Sequence, residues 1–385
     1  MDSILMSLMT ALNEQLLINV YQRDTDDFYT GYVQVLGRDH VVLSTFNDYG
    51  IADGAVLLSF NIIATVEFAG ADLADMEFRM NVAKREHFLS VAGLDAALQF
   101  DPRANLLGQL ATQVQASGQM IMVILADDEA YLEGQVTAVA ADRFTLNVFN
   151  KFNYTDVRAL QVDFSDVLVV EFGGLDLHQE TELVRHRDQL HHVKTVLHQN
   201  DGQLGTVLAA AQAANRLIAV VPRESEDQFF VGTVRAVNDT VVILALRDMA
   251  AQFGGYVAIR IRAIQSITTA SDYLQTVSAY AAWDEAHDLV LQPVLNAERA
   301  FDANDDLFKV LVNEAAAFQR VIRVRTATDE THMVGYPVQV APNSFMLHLI
   351  DPDDGSVAEI SFDAVLEVAF GHLFAYLAEA ELHEE

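Results

Sequence analysis

The sequence predicts a mostly β, α+β chain in which a helix followed by a small five-stranded barrel recurs four times in tandem. Three observations carry this. The segment Phe60-Asn-Ile-Ile-Ala-Thr-Val-Glu-Phe68 returns as Phe164-Ser-Asp-Val-Leu-Val-Val-Glu-Phe172 and Phe362-Asp-Ala-Val-Leu-Glu-Val-Ala-Phe370, with a weaker copy at Ile261-Arg-Ala-Ile-Gln-Ser-Ile-Thr-Thr269. A glycine flanked by strand residues stands upstream of each copy, at Gly31, Gly134, Gly232 and Gly335, in steps of 103, 98 and 103 residues. An amphipathic stretch precedes each glycine. Landmarks that keep one order at a near-constant period mark a repeat architecture.

The elements follow in order. Ile4, Leu5, Leu8, Met9, Leu12 and Leu16 recur at helical spacing. Leading helices are therefore predicted at Ser3 to Leu16, Asn105 to Ala116, Gly202 to Ala214 and Asp305 to Phe318. Alternating apolar runs such as Leu17-Ile-Asn-Val20 and Leu217-Ile-Ala-Val-Val221 predict the first strand. Acidic turns come next, at Asp24 to Asp27, Asp127 to Glu129, Glu224 to Asp227 and Thr328 to Glu330. The glycine-bearing strand follows, and its glycine suits a sharp bend. A third strand runs through Val41-Val-Leu43, Phe144-Thr-Leu146, Val241-Val-Ile243 or Phe345-Met-Leu347, and a hairpin leads to two more. Strands this short, with turns every 8 to 12 residues or so, predict a closed barrel, because closure removes sheet edges.

Helical connectors are predicted after each barrel, most clearly at Leu175 to Leu197 and Ser271 to Leu291. The repeats then span 1–100, 101–200, 201–300 and 301–385. Linkers at Phe100-Asp-Pro-Arg-Ala-Asn105 and Phe301-Asp-Ala-Asn-Asp-Asp306 share Phe-Asp, and the steps run long-short-long. Duplication of a two-repeat ancestor explains both, with halves near 1–200 and 201–385.

Composition narrows the function. Hydrophobic residues make up 51% of 385, so many small cores or an apolar face must be covered. The densest apolar run, Met120 to Ala126, has strand length, far below the roughly 18 residues of a membrane span. The first residues carry no basic region, so no secretory signal is expected. Cysteine is absent, which excludes disulfides, cysteine zinc sites and a cysteine nucleophile, and a cytoplasmic location is expected. Net charge is −32 with 23 basic residues against 55 acidic ones. Such a chain is repelled by phosphate backbones and anionic membranes, so neither nucleic acid nor membrane is an expected partner.

A leading helix, then five strands with a glycine midway along the second, resembles the Sm-like family of strongly bent SH3-like barrels. In the first repeat the resemblance runs from Leu17 through Phe28-Tyr-Thr-Gly31-Tyr-Val-Gln-Val35 and Asp39-His-Val-Val-Leu43 to Ile62-Ile-Ala-Thr-Val66. It implies that the fourth strand of one barrel pairs with the fifth of the next, here in cis. It also implies an RNA site built from an Asp-x-apolar-Asn motif and an Arg-Gly or Lys-His pair. The first motif stands as Asp39-His-Val-Val42, Asp142-Arg-Phe-Thr145 and Asp239-Thr-Val-Val242, without the Asn, and Pro342-Asn-Ser-Phe345 lacks even the Asp. The pair is replaced by Phe60-Asn61, Phe164-Ser165, Ile261-Arg262 and Phe362-Asp363.

Candidate sites are few. Arg260 and Arg262, with Arg247 nearby, alternate with Ile259 and Ile261 and are expected on a solvent face, where an acidic or phosphate ligand would bind. Trp283, the single Trp, shares a helix face with Tyr280 and His287, for packing or as a partner hot spot. His178, His186, His191, His192 and His198, with Glu182, are expected along one solvated helix rather than around a metal. Asp351-Pro-Asp353-Asp354-Gly355 reads as a hairpin turn rather than a calcium loop. No GxSxG, Walker lysine or GxGxxG appears. The expectation is a non-catalytic scaffold without cofactor, engaging a protein partner or itself, as in a homodimer. The alternative is RNA binding through the third repeat's arginines, or polyanion mimicry.

Overall fold

The computed structural model describes residues 2–384 except 24, 26, 91–93, 95, 96, 127–130, 224–228, 328–331 and 351–355. The predicted acidic turns and the 351–355 loop lie wholly or partly outside the described residues. The chain is mixed α and β, and the order helix, five strands, helix occurs four times. The first repeat holds α1 (Asp2–Glu14), β1 (Leu17–Gln22), β2 (Phe28–Leu36), β3 (His40–Phe46), β4 (Ala52–Ser59), β5 (Ile63–Glu67) and α2 (Ala71–Arg85). The second holds α3 (Leu106–Ser117), β6 (Met120–Leu125), β7 (Leu132–Val139), β8 (Arg143–Val148), β9 (Arg158–Asp163), β10 (Val167–Phe172) and α4 (Leu175–Arg185). A short strand, β11 (Val196–Gln199), intervenes. The third repeat holds α5 (Leu204–Ala213), β12 (Leu217–Pro222), β13 (Phe230–Val237), β14 (Val241–Arg247), β15 (Phe253–Arg260), β16 (Ile264–Ala270) and α6 (Asp272–Ala286). The fourth holds α7 (Leu307–Phe318), β17 (Ile322–Thr326), β18 (Met333–Val340), β19 (Ser344–Leu349), β20 (Val357–Ser361), β21 (Val365–Phe370) and α8 (Leu373–Glu384).

Two compact units emerge, Met1–His192 with Ala286–Pro293, and Val193–Glu285 with Val294–Glu385. These differ from halves divided near residue 200 for physical reasons. Leu89 N donates to Leu291 O at 2.8 Å, which ties the 286–293 segment into the first unit. The predicted helix over Leu175 to Leu197 stops at Arg185, and β11 instead pairs with β16, covering that edge of the second unit's sheet.

The first unit has one ten-stranded antiparallel sheet, ordered β5-β1-β2-β3-β4-β10-β6-β7-β8-β9. The second has eleven strands, ordered β11-β16-β12-β13-β14-β15-β21-β17-β18-β19-β20. Within every repeat the order is fifth, first, second, third, fourth. The ladder does not end the fourth strand's edge by closing each repeat on itself. Instead β4 pairs with β10 and β15 with β21, the fourth-to-fifth pairing in cis that the resemblance implied. Both seams share a register: Leu57 faces Val170 in one, Ala258 faces Val368 in the other.

The leading helices lie where their apolar spacing predicts. Leu8 and Ala11 of α1 are fully buried with Ile18, Val33 and Leu43. Asn105 caps α3 by accepting from Gly108 N at 3.2 Å, and Gly118 ends that helix in the left-handed conformation.

The four second-strand glycines occupy equivalent places. They face Ile18, Ile121, Ile218 and Ile322 on the first strands. A Cβ at Gly31, Gly134, Gly232 or Gly335 would lie 2.0, 2.4, 2.4 or 2.0 Å from the carbonyl oxygen of Ser44, Asn147, Ala245 or His348. Just beyond each glycine the register slips, at Val33/Val35, Val136/Ala138, Val234/Ala236 and Pro337/Gln339. Absence of a side chain lets the third strand cross closely where the second bends. Gly134→Ala should therefore destabilise by roughly 2 kcal/mol or more. Gly205→Ala, in open space on α5, should be neutral or stabilising by up to about 1 kcal/mol. Urea denaturation of both variants compares them directly.

Candidate functional site

The predicted arginines are not a free basic face. Arg260 ends β15 and turns toward the fourth repeat, where Nε donates to Val365 O and Nη2 to Phe362 O, each at 2.6 Å. Its guanidinium sits 5.0 Å from the centre of the Phe308 ring, and burial pulls its pKa down. Arg262 lies in a short 3₁₀ turn rather than a strand and donates to Asp363 O at 3.0 Å. Arg260 is half-buried because fourth-repeat carbonyls lie within reach, whereas Arg262 stays exposed. Arg247 closes the far end of the β14–β15 hairpin and donates to Ala251 O at 2.9 Å, so it does not join the other two. Trp283 is half-buried on α6 beside buried Tyr280 and Asp284.

The histidines do not form one helix face. His178 is buried on α4, and His186 Nδ1 lies 2.9 Å from Glu182 O. His198 stands on β11, 3.2 Å from Thr269 Oγ1. Among the described residues no group of three or more His, Asp or Glu could hold a metal ion.

Sequence reasoning missed the buried charges, which the two seams make visible because their registers match. Arg323, Arg325 and Glu367 occupy the positions of Met122, Ile124 and Val169. At Arg323 and Arg325, the alternation Ile322-Arg-Val-Arg-Thr326 was the available signal: two cations on a strand whose partner strand carries Glu367. Arg323 Nη2 donates to Glu367 Oε1 at 3.4 Å, Arg325 Nε lies 3.6 Å from Oε2, and His332 Nε2 lies 3.5 Å from Oε1. Nearby, burial first and then Arg323 push the His372 pKa down to about 4, and its Nδ1 accepts from Ala375 N at the start of α8.

The first unit buries charge beside α4 and half-buries a carboxylate, Glu171, in its own seam. Lys151 Nζ meets Glu133 Oε1 at 2.9 Å and Glu180 Oε1 at 3.0 Å, all three side chains being buried. Burial opposes the ammonium, but Glu180 and Glu133 outweigh it and raise the Lys151 pKa. Tyr29 donates to Glu171 Oε1 at 2.6 Å, and burial raises the pKa of Glu171 and of Asp176. The triad binds α4 to the β7–β8 side of the sheet. It is a fastening, with its lysine and one oxygen of each carboxylate already engaged.

A cavity of about 350 Å³ lies in the second unit against α7, β17 and α8. Its polar lining is largely satisfied: Tyr256 accepts from Arg299 N at 3.0 Å, Arg299 pairs with Glu314, and Arg320 with Glu379 at 2.6 Å. Glu379 also accepts from Val321 N at 2.9 Å, as Thr181 accepts from Met120 N in the first unit. Both bonds fasten the trailing helix to the head of the first strand.

No family model matches the chain, and no curated protein does. Among solved structures, the four MBT repeats of Drosophila melanogaster Sfmbt in complex with a methyl-lysine peptide match at 10% identity. That match covers 94% of this chain and 89% of the other at a TM-score of 0.12, too loose to carry an argument about fold or function.

One titration is open to measurement. Asp53 accepts from Leu175 N at 2.9 Å, and burial raises its pKa from 3.8 to about 6. A raised acid stabilises fully below its unfolded pKa and loses that contribution as pH climbs through the folded value. Asp53→Asn keeps the acceptor and removes the titration. It should match or trail the parent near pH 4 and exceed it by on the order of 2 kcal/mol at pH 7.5, read by urea denaturation at both values.

Proposed function

We propose that the chain is a non-catalytic, cytoplasmic interaction protein: two modules of paired Sm-like barrels with an acidic surface that engages a basic protein partner. The observation that supports this best is the pairing itself. The fourth-to-fifth contact, by which the resembled family builds rings, is used inside each module at β4–β10 and β15–β21. At the outer fourth strands the equivalent positions carry Gln161 and Glu359, both exposed, where the seams carry buried Leu57 and Ala258. Polar residues there disfavour further addition of barrels.

Against the RNA reading, two of its arginines are already engaged. Arg260 and Arg262 donate to backbone carbonyls of the fourth repeat. With a net charge of −32, approach of a polyanion meets long-range repulsion that is strongest at low salt.

Two measurements test the proposal. A gel shift with generic single-stranded RNA at low salt should show no complex at micromolar protein. Affinity capture from lysate should retain proteins of high isoelectric point, released by about 0.5 M salt and indifferent to ribonuclease. Ribonuclease-sensitive capture, or a shift with RNA, would overturn it.

A further inference from the structure

Arg323 and Arg325 are separated by one residue on β17, so both side chains leave the same face of the strand. Glu367 stands opposite Arg325 on β21, and His332 stands just before β18, on the other side of β17. Three basic side chains thus gather about one carboxylate in a chain whose acidic residues outnumber its basic ones by 55 to 23. Glu367 is 1% exposed and Arg325 8%, so the charges sit where water screens them little.

One carboxylate does not satisfy this many donors. Arg323 Nε, Arg325 Nη2 and His332 Nε2 are buried atoms with no hydrogen-bond partner among the described residues. The Arg325 contact with Glu367, at 3.6 Å, is an ion pair rather than a hydrogen bond, and His332 Nε2 lies 3.5 Å from the same carboxylate. The Arg323 and His332 side chains retain 33% and 22% of their exposure, so the cluster reaches solvent on that side. The first unit builds the same seam positions from Met122, Ile124 and Val169, so packing alone does not require the charges. Cations standing where Met122 and Ile124 serve in the first unit, with polar atoms left unpartnered, point to a ligand.

We propose that Arg323, Arg325 and His332 form a binding site for a tetrahedral oxyanion, the chemistry shared by a phosphate or sulfate group. Planar guanidinium donors converging from neighbouring positions suit oxygens that point in several directions. Glu367 holds the two arginines against their mutual repulsion and is a positioning residue. This site stands apart from the acidic surface that serves the interaction reading, and either can fail without the other.

The test uses the full chain, with sodium phosphate, sodium sulfate and sodium acetate each compared with sodium chloride at matched ionic strength. Phosphate and sulfate should raise the thermal midpoint, and calorimetry should give saturable binding, with acetate weaker. Arg323→Met, Arg325→Ile and Glu367→Val together import the first unit's residues and should fold while losing the response. His332→Ala, at the solvent side, should weaken phosphate by about tenfold without moving the midpoint in chloride. The proposal is overturned if phosphate and chloride act alike on the parent chain. An undiminished phosphate response in the folded triple variant, or in His332→Ala, overturns it equally.

Discussion

The seam between a fourth strand and the next repeat's fifth strand governs the rest of the molecule. Leu57 belongs to the first repeat's sheet, yet it packs with Leu110, Phe144 and Val170 in the second repeat's core. Val169 makes the reciprocal trade, joining Leu8, Val20 and Leu58. In the second unit Ala258 lies with Phe308 and Val368, and Ala369 with Leu208 and Val257. Each fully buried aliphatic side chain contributes about 1.5–3 kcal/mol. Separating paired repeats would expose several at once. Cores that interlock in this way explain why compact units number two while the pattern repeats four times.

Much of this was legible in the residues. Periodic leucines located the leading helices, and the glycine at a fixed offset located the bend, because both signals are local and steric. The trailing segment after Arg185 was misread. Its helical composition competes with a backbone requirement that no local pattern shows, the uncovered edge of β16, and Val196–Gln199 satisfies that requirement as a strand. The seam also left a trace. Leu57 and Ala258 are apolar at the position where Gln161 and Glu359 are polar, so the fourth strands themselves state which edges are covered.

The candidate site was less legible because it depends on long-range pairing. Arg260 alternates with apolar neighbours as an exposed strand residue does, and only the fourth repeat's carbonyls, more than a hundred residues away, give it partners. Arg323 and Arg325 alternate in the same manner. Their importance comes from Glu367 on a neighbouring strand and from the apolar residues of the other unit. The two seams share one register, and where the first carries Met122, Ile124 and Val169 the second carries Arg323, Arg325 and Glu367, while the first keeps its own carboxylate, Glu171, opposite Met122.

The same comparison bears on the overall charge. Basic residues are scarce, and several are committed to partners within the chain: Lys151 to two carboxylates, Arg260 to two carbonyls, Arg299 to Glu314 and the exposed Arg320 to Glu379. With 55 acidic residues against 23 basic ones, the chain as a whole sets a repulsive long-range field for polyanions. An oxyanion approaching the second unit must cross that field to reach Arg323. A small ion can do so once salt shortens the field to several ångströms, whereas a long nucleic acid meets it along its whole length. A net charge of −32 and the proposed basic cluster are therefore compatible, and together they favour a single anionic group over a polymer.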